Sequence, residues 1–323
     1  MLYNIIAINK ELILNKIIKK TDNKNIRFPS QMNFRIEGNR LMVSINAKGV
    51  TANMQTDGSA FEGWIICIMA WLSDEVKEVV LAWDIPSFGK DDKKQKLHYN
   101  RLVFRAMMFE ELFSWVTIAP ANKDEIHKIR EMLPFLVVNY PKSKSKEEVS
   151  DNKEMHKGEA ILERQLVGIM KESVPITDHQ LPVGLFTQTV KSENAIIPRG
   201  ASQIDIWQLD HGIMRIFELK DEDNNSVGII SELMFYVYVM YLLVKGTIKY
   251  PDSLATIKKN YRHINDLYVA IESGEVKNIE AVFLNFRFHP LIEVKKGDII
   301  KIINNEMKKI QVCFKCQLVS QIL

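Results

Sequence analysis

The sequence predicts an α/β protein, α+β in its overall arrangement, with two domains along the chain. Its 323 residues, 46% hydrophobic and 26% charged, are enough for two ordinary folded domains. Short apolar or β-branched runs alternate with longer stretches whose apolar residues recur every three or four positions, as strands and helices do. Residues 140–157 are rich in Ser and charge and almost free of apolar side chains, which is typical of a linker.

The first 140 residues predict a smaller α+β domain. Residues 33–53 are expected to form two strands around a turn at Glu37-Gly38-Asn39, and residues 79–83 a short buried strand. Helices are expected from a cap near residues 56–59 to residue 72, at 94–116 and at 123–133. No motif indicates the role of this domain, and recognition and dimerisation are the roles considered.

The C-terminal domain is expected over residues 155–323, after a charged linker at 141–154. Its predicted order is helix, three strands, helix, strand. The segments are 155–171, 183–186, 203–209, 213–220, 227–244, a polar helical stretch at 253–272, and 280–289. Cys313 and Cys316 lie in an apolar stretch, which favours a buried or half-buried strand over a metal or redox site.

The two central strands of this domain bring acidic side chains together. A two-residue turn at His211-Gly212 would pair Leu209 with Met214, Trp207 with Ile216, and Asp205 with Glu218. Lys220, two positions after Glu218, would share their face. A one-residue bulge at Gly212 would instead set Asp205 against Phe217.

Two carboxylates this close are costly unless a cation joins them. A divalent metal ion would remove that cost. Hard oxygen ligands favour Mg²⁺, for which Mn²⁺ can substitute.

The spacing of Asp205 and Glu218-Leu219-Lys220, between an acid-bearing helix and an apolar helix, resembles that of the PD-(D/E)XK nuclease superfamily. The resemblance covers roughly residues 155–290. It implies a restriction-endonuclease-like core, a mixed sheet flanked by helices, in which Asp205, Glu218 and the backbone carbonyl of Leu219 hold the metal. It also implies that Lys220 orients or deprotonates the attacking water and that Glu163 positions or polarises metal-bound water.

The E-x-K tripeptide alone is not specific. It also begins at Glu75, Glu275, Glu293 and Glu306, and Ile204 stands where the family's proline would be. Only Glu218 ends an apolar strand whose expected partner carries an Asp. The alternative is a surface hairpin with charged ends.

The apolar helix at 227–244 carries one further acid. Glu232 and Tyr236 are one turn apart and would share a face. The resemblance implies that such a pair touches the active site or the nucleic acid. An acid at the exposed start of a buried helix is the alternative.

Two basic clusters are candidates for contacting phosphate. One is a helical stripe opposite apolar residues: Lys94, His98, Arg101 and Arg105. The other lies within the polar helical stretch at 253–272 and consists of Lys258, Lys259, Arg262 and His263. A solvated face is the alternative for each.

The carboxylates, the amine and the resemblance together predict a metal-dependent endonuclease that cuts nucleic acid. The resemblance implies double-stranded DNA as the preferred substrate and a role in restriction or defence. A catalytically silent binding or scaffolding protein, or a nuclease for RNA or branched DNA, are the alternatives. No apolar run approaches the roughly 20 residues of a membrane span, and the N-terminus does not resemble a secretory signal, so a cytoplasmic protein without a membrane partner is expected. A homodimer is also considered.

Overall fold

The computed structural model describes residues 8–141, 158–198, 202–220, 226–252 and 263–323. The chain divides into two units. The first draws on Met1–Glu131, Ser226–Glu232 and Phe288–Ile310, and the second on Met132–Asn225, Leu233–Arg287 and Gln311–Leu323. Both units are therefore discontinuous in sequence, unlike the expected domains at 1–140 and 155–323. Apart from Pro141, the expected linker at 141–154 lies outside the described residues.

Helices and strands alternate along the chain. The helices are α1 (Lys10–Thr21), α2 (Ala47–Val50), α3 (Phe61–Trp71), α4 (Lys93–Leu112), α5 (Lys123–Met132), α6 (Glu159–Ser173), α7 (Gly228–Val244), α8 (Ile264–Glu272), α9 (Pro290–Glu293) and α10 (Lys296–Met307). The strands are β1 (Met32–Glu37), β2 (Arg40–Ile45), β3 (Glu78–Trp83), β4 (Val116–Ile118), β5 (Leu136–Val138), β6 (Thr177–Pro182), β7 (Leu185–Thr187), β8 (Gln203–Asp210), β9 (Ile213–Lys220), β10 (Asn278–Asn285) and β11 (Val312–Leu318).

The first unit is built around a four-stranded sheet in the order β1-β2-β3-β4. β1 and β2 are antiparallel, whereas β2, β3 and β4 run parallel. The expected turn between β1 and β2 is confirmed, because Glu37 pairs with Arg40. Gly38 has a φ of +61° there, a conformation that glycine adopts without a steric penalty.

The helices of the first unit differ in how much of their surface is buried. Every residue of α3 is buried, as expected for a helix that is apolar on all sides. α5 buries only Ile126 and Ile129 and is amphipathic. α4 ends at Leu112, four residues before the expected end, and the chain then leads into β4.

The second unit contains a five-stranded mixed sheet in the order β11-β10-β9-β8-β6. β6, β8 and β9 are antiparallel neighbours, whereas β9, β10 and β11 run parallel. The expected order of helix, three strands, helix and strand is present with one strand more, β6. Cys313 and Cys316 lie in β11, a strand as expected, and both are half-buried. β5 and β7 form a separate antiparallel pair.

One face of the mixed sheet packs against α6. The cluster that joins them combines apolar residues of the helix with those of the strands: Leu162, Leu166, Val167, Met170, Ile206, Phe217, Leu219, Val282, Leu284 and Val319. Burial of this apolar surface holds the helix on the sheet. Because strand side chains alternate between faces, the neighbours of Phe217 and Leu219 point to the other face.

The fold class is α/β, with mixed sheets flanked by helices, as the sequence predicts. In the described part of the chain, no helix combines the length and the apolar character that crossing a membrane requires.

Candidate functional site

The hairpin of β8 and β9 has the register expected from its turn. His211 and Gly212 have φ values of +47° and +77°, as a two-residue type I′ turn requires. The resulting pairs include two of the three expected ones, Leu209 with Met214 and Trp207 with Ile216. The paired stretch ends at Ile206 with Phe217, one position before the third expected pair, Asp205 with Glu218. Ile206, not Asp205, lies opposite Phe217, so the alternative register with a bulge at Gly212 is excluded.

Asp205 contacts the neighbouring strand through its carboxylate. Its Oδ2 atom accepts a hydrogen bond of 2.7 Å from the backbone N–H of Leu219. Asp205 itself is half-buried. This contact puts the carboxylate beside the segment that carries Glu218 and Lys220.

Glu218 and Lys220 form a buried ion pair on β9. The Lys220 amine contacts Oε1 of Glu218, and the two residues are 6% and 1% exposed, respectively. The expectation that they share a face is confirmed. Burying either charge alone would be expensive, so each stabilises the other in this setting.

Glu163 is paired with a histidine that the sequence analysis did not identify. In the described residues, its ion-pair partner is His179 of β6, with Nδ1 and Oε1 2.6 Å apart. His179 pairs with Ile206, whose side chain belongs to the cluster on α6. Glu163 therefore contacts His179 on the α6 face, whereas Glu218 and Lys220 point to the other face.

A sequence signal for His179 did exist. The strand TDHQLP carries Asp178 and His179 in its interior, and acidic and imidazole groups within a strand are unusual unless they have partners. The strand expected at 183–186 overlaps β7, and no strand is predicted over the residues that form β6.

The donor atoms suit a hard divalent cation. Two carboxylates, those of Asp205 and Glu218, and the carbonyl of Leu219 offer the oxygen ligands that Mg²⁺ prefers. Within the described ranges, no group of three or more His, Cys, Asp and Glu side chains is arranged to hold a metal ion. The expected set contains only two such side chains, and the Lys220 amine lies against one of them.

Glu232 and Tyr236 lie on α7 and are 1% and 2% exposed. The alternative reading of Glu232 as an acid at an exposed helix start is therefore excluded. Glu232 belongs to the first unit, as the last residue of its segment Ser226–Glu232, whereas Tyr236 belongs to the second unit.

The expectation of one exposed basic stripe on α4 is wrong at Arg101 and Arg105. They are 1% and 0% exposed. Arg105 donates from Nε to Oε1 of Glu62 at 2.9 Å and also contacts the second oxygen of that carboxylate. Its guanidinium lies 4.6 Å from the centre of the Phe61 ring. Arg105 is therefore an internal ion-pair partner, not a phosphate ligand on the surface.

His98 also departs from the expected stripe. Arg101 donates from Nη2 to Asn53 at 2.8 Å and lies 3.1 Å from Nδ1 of His98. Burial, and then the charges of Arg101 and Lys94, lower the pKa of His98 to about 4. His98 is therefore neutral near pH 7, and Lys94 is the exposed cation of the four.

Only one residue of the second basic cluster, His263, is among the described residues. Lys258, Lys259 and Arg262 lie outside the described residues. Their neighbour His263 is described, and its Nδ1 lies 2.9 Å from Oδ2 of Asp266.

No protein-family model matches the chain, and comparisons with curated proteins and with solved structures find no match either. The functional interpretation therefore depends on the side chains of the hairpin and their surroundings.

Proposed function

We propose that the second unit is a Mg²⁺-dependent endonuclease that hydrolyses phosphodiester bonds of double-stranded DNA. The contact between Asp205 and the N–H of Leu219 carries this proposal. It joins a carboxylate of β8 to the stretch of β9 that bears a second carboxylate and an amine. Phosphodiester hydrolysis uses these groups, because the reaction needs ligands for a metal and a positive charge near the phosphate.

The metal-holding atoms in this proposal are the carboxylate oxygens of Asp205 and Glu218 and the carbonyl oxygen of Leu219. All three are hard ligands, which Mg²⁺ and Mn²⁺ prefer. Bound Mg²⁺ would supply positive charge at the scissile phosphate and favour ionisation of a water molecule.

Lys220 has two tasks in the proposed reaction. Its amine orients the attacking water, and its charge stabilises the negative charge that develops on the phosphate. Low exposure supports this role, since an amine in a low-dielectric setting exerts a stronger electrostatic effect than one in water. Asp205 is the more exposed member of the group and would lie nearer the substrate.

Glu163 has no catalytic task in the proposal, because its carboxylate is engaged by His179. The choice of double-stranded DNA and the homodimer rest on the resemblance to restriction-type nucleases, whereas the cytoplasmic location rests on the sequence-based expectation of no membrane span and no secretory signal. They extend the proposal and are tested separately from the chemistry.

One observation favours a second candidate, a nucleic-acid-binding protein of the same fold without catalysis. The Lys220 amine contacts Oε1 of Glu218, so the charge of this carboxylate is already compensated without a metal ion. A protein of this kind would bind nucleic acid but would need neither Mg²⁺ nor a free carboxylate.

Cleavage assays on the full chain separate these candidates. Matched double-stranded DNA, double-stranded RNA and branched DNA would be incubated with Mg²⁺, with Mn²⁺ or with EDTA. We expect DNA cleavage that requires the metal and is lost in Glu218→Gln but kept in Lys171→Ala, an exposed control on α6.

Cleavage of RNA or branched DNA, but not of double-stranded DNA, would show that the substrate differs from the proposed one while the metal-dependent hydrolysis is as proposed. Binding without cleavage under every metal condition would favour the second candidate. Cleavage that is unaffected by EDTA would refute the proposed site.

A further inference from the structure

A buried amide oxygen lies in the strand next to the proposed site. Asn285, the last residue of β10, is 2% exposed. Its Nδ2 donates to the carbonyl of Arg287 at 3.1 Å, which fixes the orientation of the amide, because a carbonyl accepts only from the nitrogen. Among the described residues, its Oδ1 has no hydrogen-bond donor. Such an atom is costly to bury, so a donor is expected in some state of the protein.

The sheet register sets Asn285 beside Lys220. β9 and β10 are parallel, and their pairs include Phe283 with Glu218 and Asn285 with Lys220. Paired residues of neighbouring strands lie roughly 5 Å apart and project to the same face. The side chains of Asn285 and Lys220 therefore start from paired positions and project to the face that also carries Glu218.

Metal binding at Glu218 would displace the Lys220 amine. The amine contacts Oε1 of Glu218, a carboxylate that the proposed function assigns to the metal. Two cations on one carboxylate repel each other, and the repulsion is strong where burial lowers the dielectric constant. A displaced ammonium group in this setting is stabilised by an additional acceptor, because each hydrogen bond to a buried charge offsets part of the cost of burying it.

We propose that Asn285 is a positioning residue that accepts the Lys220 amine when Glu218 binds a divalent cation. This inference rests on the metal site of the proposed function and adds a residue that the sequence analysis did not identify. Lys220 would alternate between Glu218 in the metal-free protein and Asn285 in the metal-bound protein. In the second position the amine stays beside the site with its charge intact.

Calorimetric titration with Ca²⁺ tests this exchange without any cleavage step. The variants are Asn285→Leu, Lys220→Met and the combination of the two, each compared with wild type. We expect Asn285→Leu to weaken Ca²⁺ binding about 10- to 100-fold, because the ammonium group displaced from Glu218 then lacks the acceptor that Asn285 offers. In the Lys220→Met background the same substitution should change the affinity less than about twofold, because no amine competes for Glu218.

A second measurement covers the case in which Asn285→Leu does not fold. In wild type, the side-chain amide resonances of Asn285 should shift when Ca²⁺ is added. In Lys220→Met they should not shift. Equal shifts in both proteins, or none in wild type, would overturn the inference.

The titration also distinguishes this inference from the nuclease proposal. Wild-type affinity in Asn285→Leu, or an equal loss in both backgrounds, refutes the role of Asn285 while the wild type still cleaves DNA. If the Ca²⁺ affinities follow the expected pattern but the protein cleaves no nucleic acid, the movement of Lys220 from Glu218 to Asn285 is supported and the proposed nuclease activity is refuted. Wild-type protein that binds no Ca²⁺ overturns the exchange together with the metal site.

Discussion

The Lys220 amine contacts Oε1 of Glu218, two residues before it on the same strand, and both side chains are buried. The pair holds a positive charge beside the carboxylate that is proposed to bind a metal. Since each charge compensates the other, removing one leaves the other buried and uncompensated. Variants at either position must therefore be judged on folding as well as on activity.

Lys220→Ala and Asp205→Ala should separate the chemical step from metal binding. Lys220→Ala should keep Ca²⁺ binding but slow cleavage by a factor on the order of 10² to 10⁴, as when proton transfer or charge stabilisation is lost. Asp205→Ala should lose both, because it removes a ligand. Calorimetry and single-turnover cleavage rates measure the two properties. Full activity in Lys220→Ala would show that this amine takes no part in the reaction.

Arg105 should contribute to stability and not to binding of nucleic acid. Arg105→Met leaves the buried carboxylate of Glu62 without its cation and with the Ser231 hydroxyl as a remaining donor, and we expect a loss of about 3–5 kcal/mol in the free energy of unfolding. Lys94→Ala, an exposed change on the same helix, should cost less than about 0.5 kcal/mol. Urea denaturation gives both values. If Arg105→Met were as stable as wild type and bound DNA more weakly, Arg105 would instead be a DNA contact.

The lowered pKa of His98 predicts a pH dependence of stability. Burial, with the charges of Arg101 and Lys94, moves the pKa from 6.5 to about 4 in the folded protein. As pH falls from about 6.5 to 4, the unfolded chain takes up a proton that the folded chain does not, so stability is lost across this window. His98→Gln should lose less stability than wild type between pH 7 and pH 5, measured by urea denaturation at each pH. Parallel losses in both proteins would contradict the assignment to His98.

Gly212 should be the more sensitive of two glycines that share a left-handed backbone. A Cβ added at Gly212, with φ +77°, would lie 2.8 Å from the carbonyl oxygen of Glu275, whereas one at Gly246, with φ +70°, would meet nothing within 4 Å. Gly246→Ala should cost about 1–2 kcal/mol for its conformation alone. Gly212→Ala should cost at least about 1 kcal/mol more, because the clash adds to the strain. Equal unfolding free energies for the two variants would mean that the β8–β9 turn relaxes away from Glu275.

The hairpin register could be predicted from the sequence because it depends on local features. A His-Gly turn and alternating apolar positions fix which residues of β8 and β9 face each other. The register in turn brings Asp205 to the Glu218-Leu219-Lys220 segment.

The buried arginines could not be predicted in the same way. Helical spacing shows that Lys94, His98, Arg101 and Arg105 share a side of α4, but not whether that side faces solvent or protein. The decisive partner of Arg105 is Glu62, 43 positions earlier in the chain. The discontinuous units were missed for the same reason, since segments 226–232 and 288–310 join the first unit through contacts that are distant in sequence.

A crystal structure determined after soaking with Mn²⁺, with anomalous data, tests the central claim most directly. We predict one anomalous peak bound by the carboxylates of Asp205 and Glu218 and the carbonyl of Leu219, with the Lys220 amine moved away from Glu218. Crystals of Asp205→Ala soaked in the same way should have no such peak. A wild-type structure in which Lys220 remains on Glu218, and in which no Mn²⁺ lies between Asp205 and Glu218 at saturating metal, would contradict the account.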